Sequence, residues 1–188
     1  AWLDAAVAQG RGSMKGWILW TPLLLFALFI GLFVGGLMKP DDHVITSKMI
    51  GKPLPAFVLP AAASDRPGLN ARELATGKPR LLNIFASWCV PCAAEAPQLM
   101  ALRQAGVEID GIAIRDARAD VDAFLVRNGN PYSRIGLDAR SEVQLALGSS
   151  GVPETFLIDG KGVILDQHVG DIRADDIAQI LARLRQAQ

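Results

Sequence analysis

The sequence predicts an α/β domain with a central mixed sheet flanked by helices, preceded by one N-terminal transmembrane helix. Three observations predict it. Strand-like and helix-like segments alternate from about residue 54 onward. Asp159-Gly160-Lys161-Gly162 between two apolar runs is a hairpin signal. Trp17 to Met38 is 22 residues without a charge, relieved only by Thr21, Pro22, Gly31, Gly35 and Gly36.

The uncharged run comes first. About 20 apolar residues span a bilayer's hydrocarbon core as a helix. A soluble core helix of this length would carry a polar stripe. A cleaved secretory signal would have a shorter apolar region ending at a small-residue site, whereas this run is longer and ends in Gly35-Gly36-Leu37-Met38-Lys39. The reading is therefore an uncleaved anchor over 14–39. Arg11 and Lys15 precede the uncharged run and Lys39 follows it, a mild basic bias that puts the N-terminus inside and the larger domain outside. Residues 1–13 look foreign to this plan, because Met14-Lys15 reads as a natural start for the anchor. Residues 40–53 read as a linker and 54–188 as the folded domain.

Within that domain, 56–59 is a short strand and 81–86 a strand buried on both faces. A helix is expected from about Pro91 to Gln104 with Pro97 as a kink, then a strand over 107–114. The segment 120–128 reads as a helix closed by Asn128-Gly129-Asn130-Pro131, and 141–147 as a short helix. Strands at 155–158 and 163–168 flank the hairpin turn. Ile177, Ile180, Leu181 and Leu184 recur at helical spacing and close the chain with an amphipathic helix.

Composition narrows function by exclusion. Nineteen basic and 19 acidic residues give zero net charge, against the basic excess of a nucleic-acid binder. Two cysteines exclude a disulfide-dense scaffold and a four-thiolate zinc site. The two histidines, His43 and His168, form no second ligand pair for zinc, and Ala93 stands where c-type haem attachment needs histidine. No metal and no cofactor is expected.

Both cysteines lie in Trp88-Cys89-Val90-Pro91-Cys92, between a buried strand and a helix start. A thiolate at a helix N-terminus is stabilised by the macrodipole and free N–H groups, which lowers its pKa. Two intervening residues let the sulfurs close a disulfide within one turn. The expected roles are Cys89 as exposed nucleophile and Cys92 as more buried resolving thiol, with Pro91 restricting the backbone and Trp88 shielding one side. Glu95 is three residues beyond Cys92 and can face the pair. There a carboxylate would raise a thiol pKa and carry a proton.

Trp88-Cys89-x-Pro91-Cys92, Pro97 five residues later, and Val152-Pro153 ahead of a strand resemble the thioredoxin superfamily. Narrower stretches look like its membrane-anchored cytochrome c biogenesis thiol:disulfide interchange proteins, the CcmG/DsbE group. These are Gly51-Lys52-Pro53, 82–89 (Leu-Asn-Ile-Phe-Ala-Ser-Trp-Cys), Gly129-Asn130-Pro131-Tyr132, and 151–159 (Gly-Val-Pro-Glu-Thr-Phe-Leu-Ile-Asp). The resemblance covers roughly 50–185. It implies a thioredoxin-like fold, a cis Pro153 beside the redox pair, and a Val152 backbone that pairs with a bound substrate strand. Glu154 is the most group-specific residue and is assigned to substrate binding. Asn83 stands where thioredoxin has a buried aspartate, so the proton role falls to Glu95, which tunes the thiols in related reductases.

The implied activity is a periplasmic, inner-membrane-tethered thiol:disulfide oxidoreductase. It would reduce disulfides of apocytochrome c or its haem-ligation thiol carrier before haem attachment, and be recharged by a membrane electron donor of the thiol-reducing type. Two alternatives remain at this level: a related anchored reductase for another target such as copper-site assembly, and a non-catalytic Cu(I)-binding module. The methionines form no Cu(I) motif.

Overall fold

A computed structural model describes residues 14–37 and 47–187. The expectations for 1–13, for Met38 and Lys39 of the anchor, and for 40–46 with His43 lie outside the described residues. The chain divides into two units, Ala1–His43 and Val44–Gln188.

In the first unit, α1 is a helix over Met14–Leu37, with Pro22 inside it. Side chains are described for 20–36, and every one is exposed. Taken over that stretch, no helix is long and apolar enough to cross a membrane. The helical backbone itself continues to Met14 on one side and to Leu37 on the other.

The second unit has a five-stranded sheet in the order β5-β4-β3-β6-β7. Its strands are β3 (Arg80–Phe85), β4 (Ile109–Ile114), β5 (Ile135–Asp138), β6 (Glu154–Ile158) and β7 (Ile164–Val169). β3 pairs parallel with β4, and β4 with β5; β3–β6 and β6–β7 are antiparallel. The central β3 is buried at all six positions, Arg80 and Asn83 included, as expected of a mainly apolar run. Around the sheet lie α2 (Val90–Gln104), α3 (Arg118–Asn128), α4 (Glu142–Ala146) and α5 (Asp176–Gln186). α5 turns Ile180 and Leu184 fully inward, with Ile177 and Leu181 packed at the margin of the core. The β6–β7 hairpin is closed as its sequence predicts: Asp159 Oδ1 accepts from the backbone N–H of both Lys161 and Val163, each at 2.8 Å.

Three features differ from the sequence reading. The short strand expected at 56–59 is only β1 (Val58–Leu59), paired with β2 (Leu69–Asn70), which leads into a 3₁₀ turn. β5 was not anticipated. Residues 47–53, read as linker, lie along the domain: Gly51 N–H donates to Ile164 O at 2.7 Å, Ile164 N–H donates to Lys52 O at 3.0 Å, and Met49 and Ile50 pack on the core. The cause is β7, an edge strand whose free backbone groups need a partner.

Candidate active site

β3 ends at Phe85 and delivers the chain through Ala86 and Ser87 to the redox pair. Cys89 is the N-cap of α2, in extended conformation. Its N–H donates to Ala86 O at 3.2 Å, and Cys92 N–H donates to Cys89 Sγ at 3.2 Å. So the first sulfur takes one of the donors that a helix start leaves free. Cys89 and Cys92 are joined in a disulfide. The expected contrast in exposure is small: Cys89 is 5% exposed and Cys92 2%. Cys89 is covered because it caps the helix instead of projecting from it. Exposure falls instead on its neighbours Trp88, Val90 and Pro91.

Trp88 Nε1 donates to Arg115 O at 3.3 Å, and Asp116 accepts from both Ser87 N–H (2.6 Å) and Ser87 Oγ (2.7 Å). The loop after β4 thereby holds the approach to the cysteines. Arg115 adopts a positive φ of 47°, a costly conformation for a side-chain-bearing residue. A cavity of about 500 Å³ opens beside Trp88, lined by Arg115, Asp116, Asp120 and Arg127 among others.

Glu95 faces inward on α2 and is 1% exposed. Its Oε1 accepts from Asn83 Nδ2 at 2.9 Å and its Oε2 from Ile172 N–H at 3.0 Å. Asn83 Nδ2 also donates to Thr155 Oγ1 at 3.0 Å, and Asn83 Oδ1 accepts from Tyr132 Oη–H at 2.7 Å. Burial pushes the Glu95 carboxyl from 4.5 up to about 7, with the nearby Asp171 charge adding to the rise and the hydrogen bonds from Ile172 and Asn83 opposing it. The same burial pushes Tyr132 well above its ordinary value. Sequence spacing put Glu95 near the cysteines; it did not reveal that Asn83, Thr155, Tyr132 and the Ile172 amide surround it. The signal for Tyr132 was its place in Gly129-Asn130-Pro131-Tyr132, as the chain's single tyrosine.

The Val152–Pro153 peptide bond is cis, and Pro153 is buried. The β3–β6 register pairs Ile84 with Glu154, which sets Pro153 at the end of the sheet where β3 runs out toward the cysteines. Among the described residues no partner takes the Val152 N–H or C=O. Glu154 is 1% exposed, not the surface residue a loop position would suggest. Its Oε1 accepts from Ser150 N–H (2.9 Å), Ser150 Oγ (2.6 Å) and Gly151 N–H (3.1 Å), and its Oε2 from Gln167 Nε2 (2.8 Å). These bonds all go to the protein's own groups, so Glu154 acts on the loop ahead of Pro153. Neighbouring strand residues alternate faces. Glu154 and Glu95 therefore lie on opposite faces of the sheet, since Thr155 points to the Glu95 side.

The Redoxin family model matches residues 49–183. Thiol:disulfide interchange protein HelX of Rhodobacter capsulatus is 36% identical over 162 residues, covering 86% of this chain and 92% of that protein. DsbE of Pseudomonas fluorescens is 42% identical over 159 residues, covering 85% and 88%. The crystal structure of a thioredoxin-family thiol:disulfide interchange protein from Chlorobium tepidum superposes with a TM-score of 0.58 at 24% identity, over 72% of this chain and 94% of that one. With a thioredoxin-like sheet presenting a cysteine pair at a helix start, the chain belongs to the Redoxin family as a thiol:disulfide oxidoreductase of the DsbE/HelX type.

Proposed function

We propose that this oxidoreductase is a membrane-tethered periplasmic reductant acting on disulfides of apocytochrome c, or of its haem-ligation thiol carrier, before haem attachment. The observation that carries the direction is Glu95, a buried carboxyl one helical turn from Cys92. A carboxylate there disfavours a neighbouring thiolate. A dithiol whose thiolate is poorly stabilised is a better reductant.

In the proposed reaction the Cys89 thiolate attacks one sulfur of the substrate disulfide, and the other substrate sulfur leaves as thiolate and takes a proton. Glu95 accepts the Cys92 proton. The Cys92 thiolate attacks Cys89 Sγ, the mixed disulfide breaks, and the second substrate sulfur leaves as thiolate and takes up a proton, Glu95 giving back the one it accepted. The protein is left with the Cys89–Cys92 disulfide. A membrane dithiol donor restores it, taking up the oxidation and returning two electrons and two protons. The free Val152 backbone groups support pairing with an extended substrate segment, with Trp88 and Pro91 flanking the sulfurs.

The apolar helix Met14–Leu37 supports the tether. Its 24 residues reach about 36 Å at ~1.5 Å each, against a core of ~30 Å. In this reading 14–39 is the anchor, the N-terminus is cytoplasmic, and the domain is outside the inner membrane.

The test is Cys92→Ser, which stops resolution. Cells carrying it should accumulate a mixed disulfide from Cys89 to a c-type apocytochrome or its thiol carrier, recovered by immunoprecipitation under non-reducing conditions. Recovery of copper-site proteins alone would replace this target with another.

A further inference from the structure

We infer that Gln167 and Ser47 are positioning residues for the substrate-binding loop, so that the segment entering the domain helps to hold the backbone ahead of Pro153. The inference rests on the reading that Val152 and Pro153 receive the substrate. Five hydrogen bonds make the connection. Ser47 N–H donates to Gln167 Oε1 at 2.6 Å. Gln167 Nε2 donates to Glu154 Oε2 at 2.8 Å. Glu154 Oε1 then accepts from both Ser150 donors and from Gly151 N–H. Gly151 leads directly to Val152 and Pro153.

The start of the segment is itself fastened. Ser47 is buried, and its Oγ donates to Leu147 O at 2.5 Å while accepting from Met49 N–H at 3.0 Å. A Cβ on Gly148 would stand 2.7 Å from Ser47 Oγ, so the chain after α4 closes on Ser47 with no room for a side chain. Backbone bonds from Gly51 and Lys52 to Ile164 then carry the segment along β7.

The chemistry of Gln167 explains why an amide stands there. One end must accept from a backbone N–H and the other must donate to a carboxylate, and an amide offers both on one planar group that carries no charge. An apolar replacement breaks both links. Glu keeps the acceptor toward Ser47 but puts a like charge against Glu154. Loss of the Gln167 donor leaves a buried carboxylate with only the loop's donors, so the loop's order depends on the strand beside it.

The test uses the full chain in detergent with two disulfide probes: a peptide bearing an oxidised Cys-x-x-Cys-His loop, and hydroxyethyl disulfide, which has no backbone to pair. Gln167→Met and Gln167→Glu are compared with Ser47→Pro, which removes the N–H link together with the Oγ bonds to Leu147 and Met49. Each should raise KM for the peptide about tenfold with kcat nearly unchanged, and leave turnover of hydroxyethyl disulfide within about twofold. Amide hydrogen exchange at Ser150 and Gly151 should speed up about tenfold. Lower thermal stability with unchanged exchange at Ser150 and Gly151 overturns the inference. If the wild-type chain shows no preference for the peptide, the substrate reading fails instead, and the exchange measurement still decides whether Gln167 and Ser47 order the loop.

Discussion

A carboxyl one turn from a thiol alters that thiol's chemistry only when water is kept from both, and the fold does this for Glu95. The spacing from Cys92 was visible in the sequence; the burial was not, because it depends on Asn83, Thr155 and Ile172 arriving from three separate segments. The consequences are measurable. The folded carboxyl titrates near 7 and the unfolded one near 4.5, so the folded state binds the proton more tightly. Stability from this group is full below pH 4.5, is lost as pH rises toward 7, and is level beyond. The loss is about 3 kcal/mol. Glu95→Gln should therefore flatten the stability–pH curve of the oxidised protein over that window in chemical denaturation. In stopped-flow exchange the same variant should resolve mixed disulfides about a hundredfold more slowly. It should also lose the rate increase that accompanies Glu95 ionisation near pH 7. An unchanged pH profile would remove Glu95 from the proton's path. Asn83 shows the opposite lesson: noted in the sequence only for standing where thioredoxin has a buried aspartate, it is the amide that joins Tyr132, Thr155 and Glu95.

At the scale of elements, β3 was legible because a strand buried on both faces leaves a mainly apolar run, broken over 81–86 only by Asn83. β5 was not. Its sequence Ile135-Gly136-Leu137-Asp138 contains a glycine that weakens strand propensity, and a Cβ at Gly136 would meet Leu59 Cβ at 2.7 Å. The glycine serves a close approach by residues far away in sequence, and the strand exists because β4 offers it an edge. The β3–β4 pairing carries another fact that no motif announced. Arg80 Nη1 and Asp110 Oδ2 form a buried ion pair at 2.8 Å. Burial still pushes the Asp110 carboxyl upward against the pull of Arg80. Arg80→Met should strand that carboxylate and cost about 3–5 kcal/mol in urea or guanidinium unfolding at neutral pH. The active-site chemistry at the other end of β3 should change far less. A loss below 1 kcal/mol, on the order of a surface pair, would mean that water reaches the pair.

At the scale of the molecule, a tether substitutes local concentration for tight binding. With the tether proposed here, a chain lacking 1–40 should reduce model disulfides in solution at the wild-type rate yet fail to support target maturation when exported to the same compartment. Equal performance of the two in cells would show that the helix serves something else. What the sequence determined by itself were the properties that short-range order can carry: an apolar helix, a hairpin turn, a buried strand, and a cysteine pair at a helix start. These depend on neighbours within a few residues. What only the tertiary structure decided were the properties made by distant segments meeting. It buried Glu95 and Glu154 on opposite faces of the sheet. It covered Cys89 by making it a cap, and gave β7 a partner in residues 47–53 and Glu154 a partner in Gln167. The reason is that burial and hydrogen-bond pairing belong to the assembled sheet. A single position in a chain specifies what it can donate or accept, but not which remote group will be there to answer it.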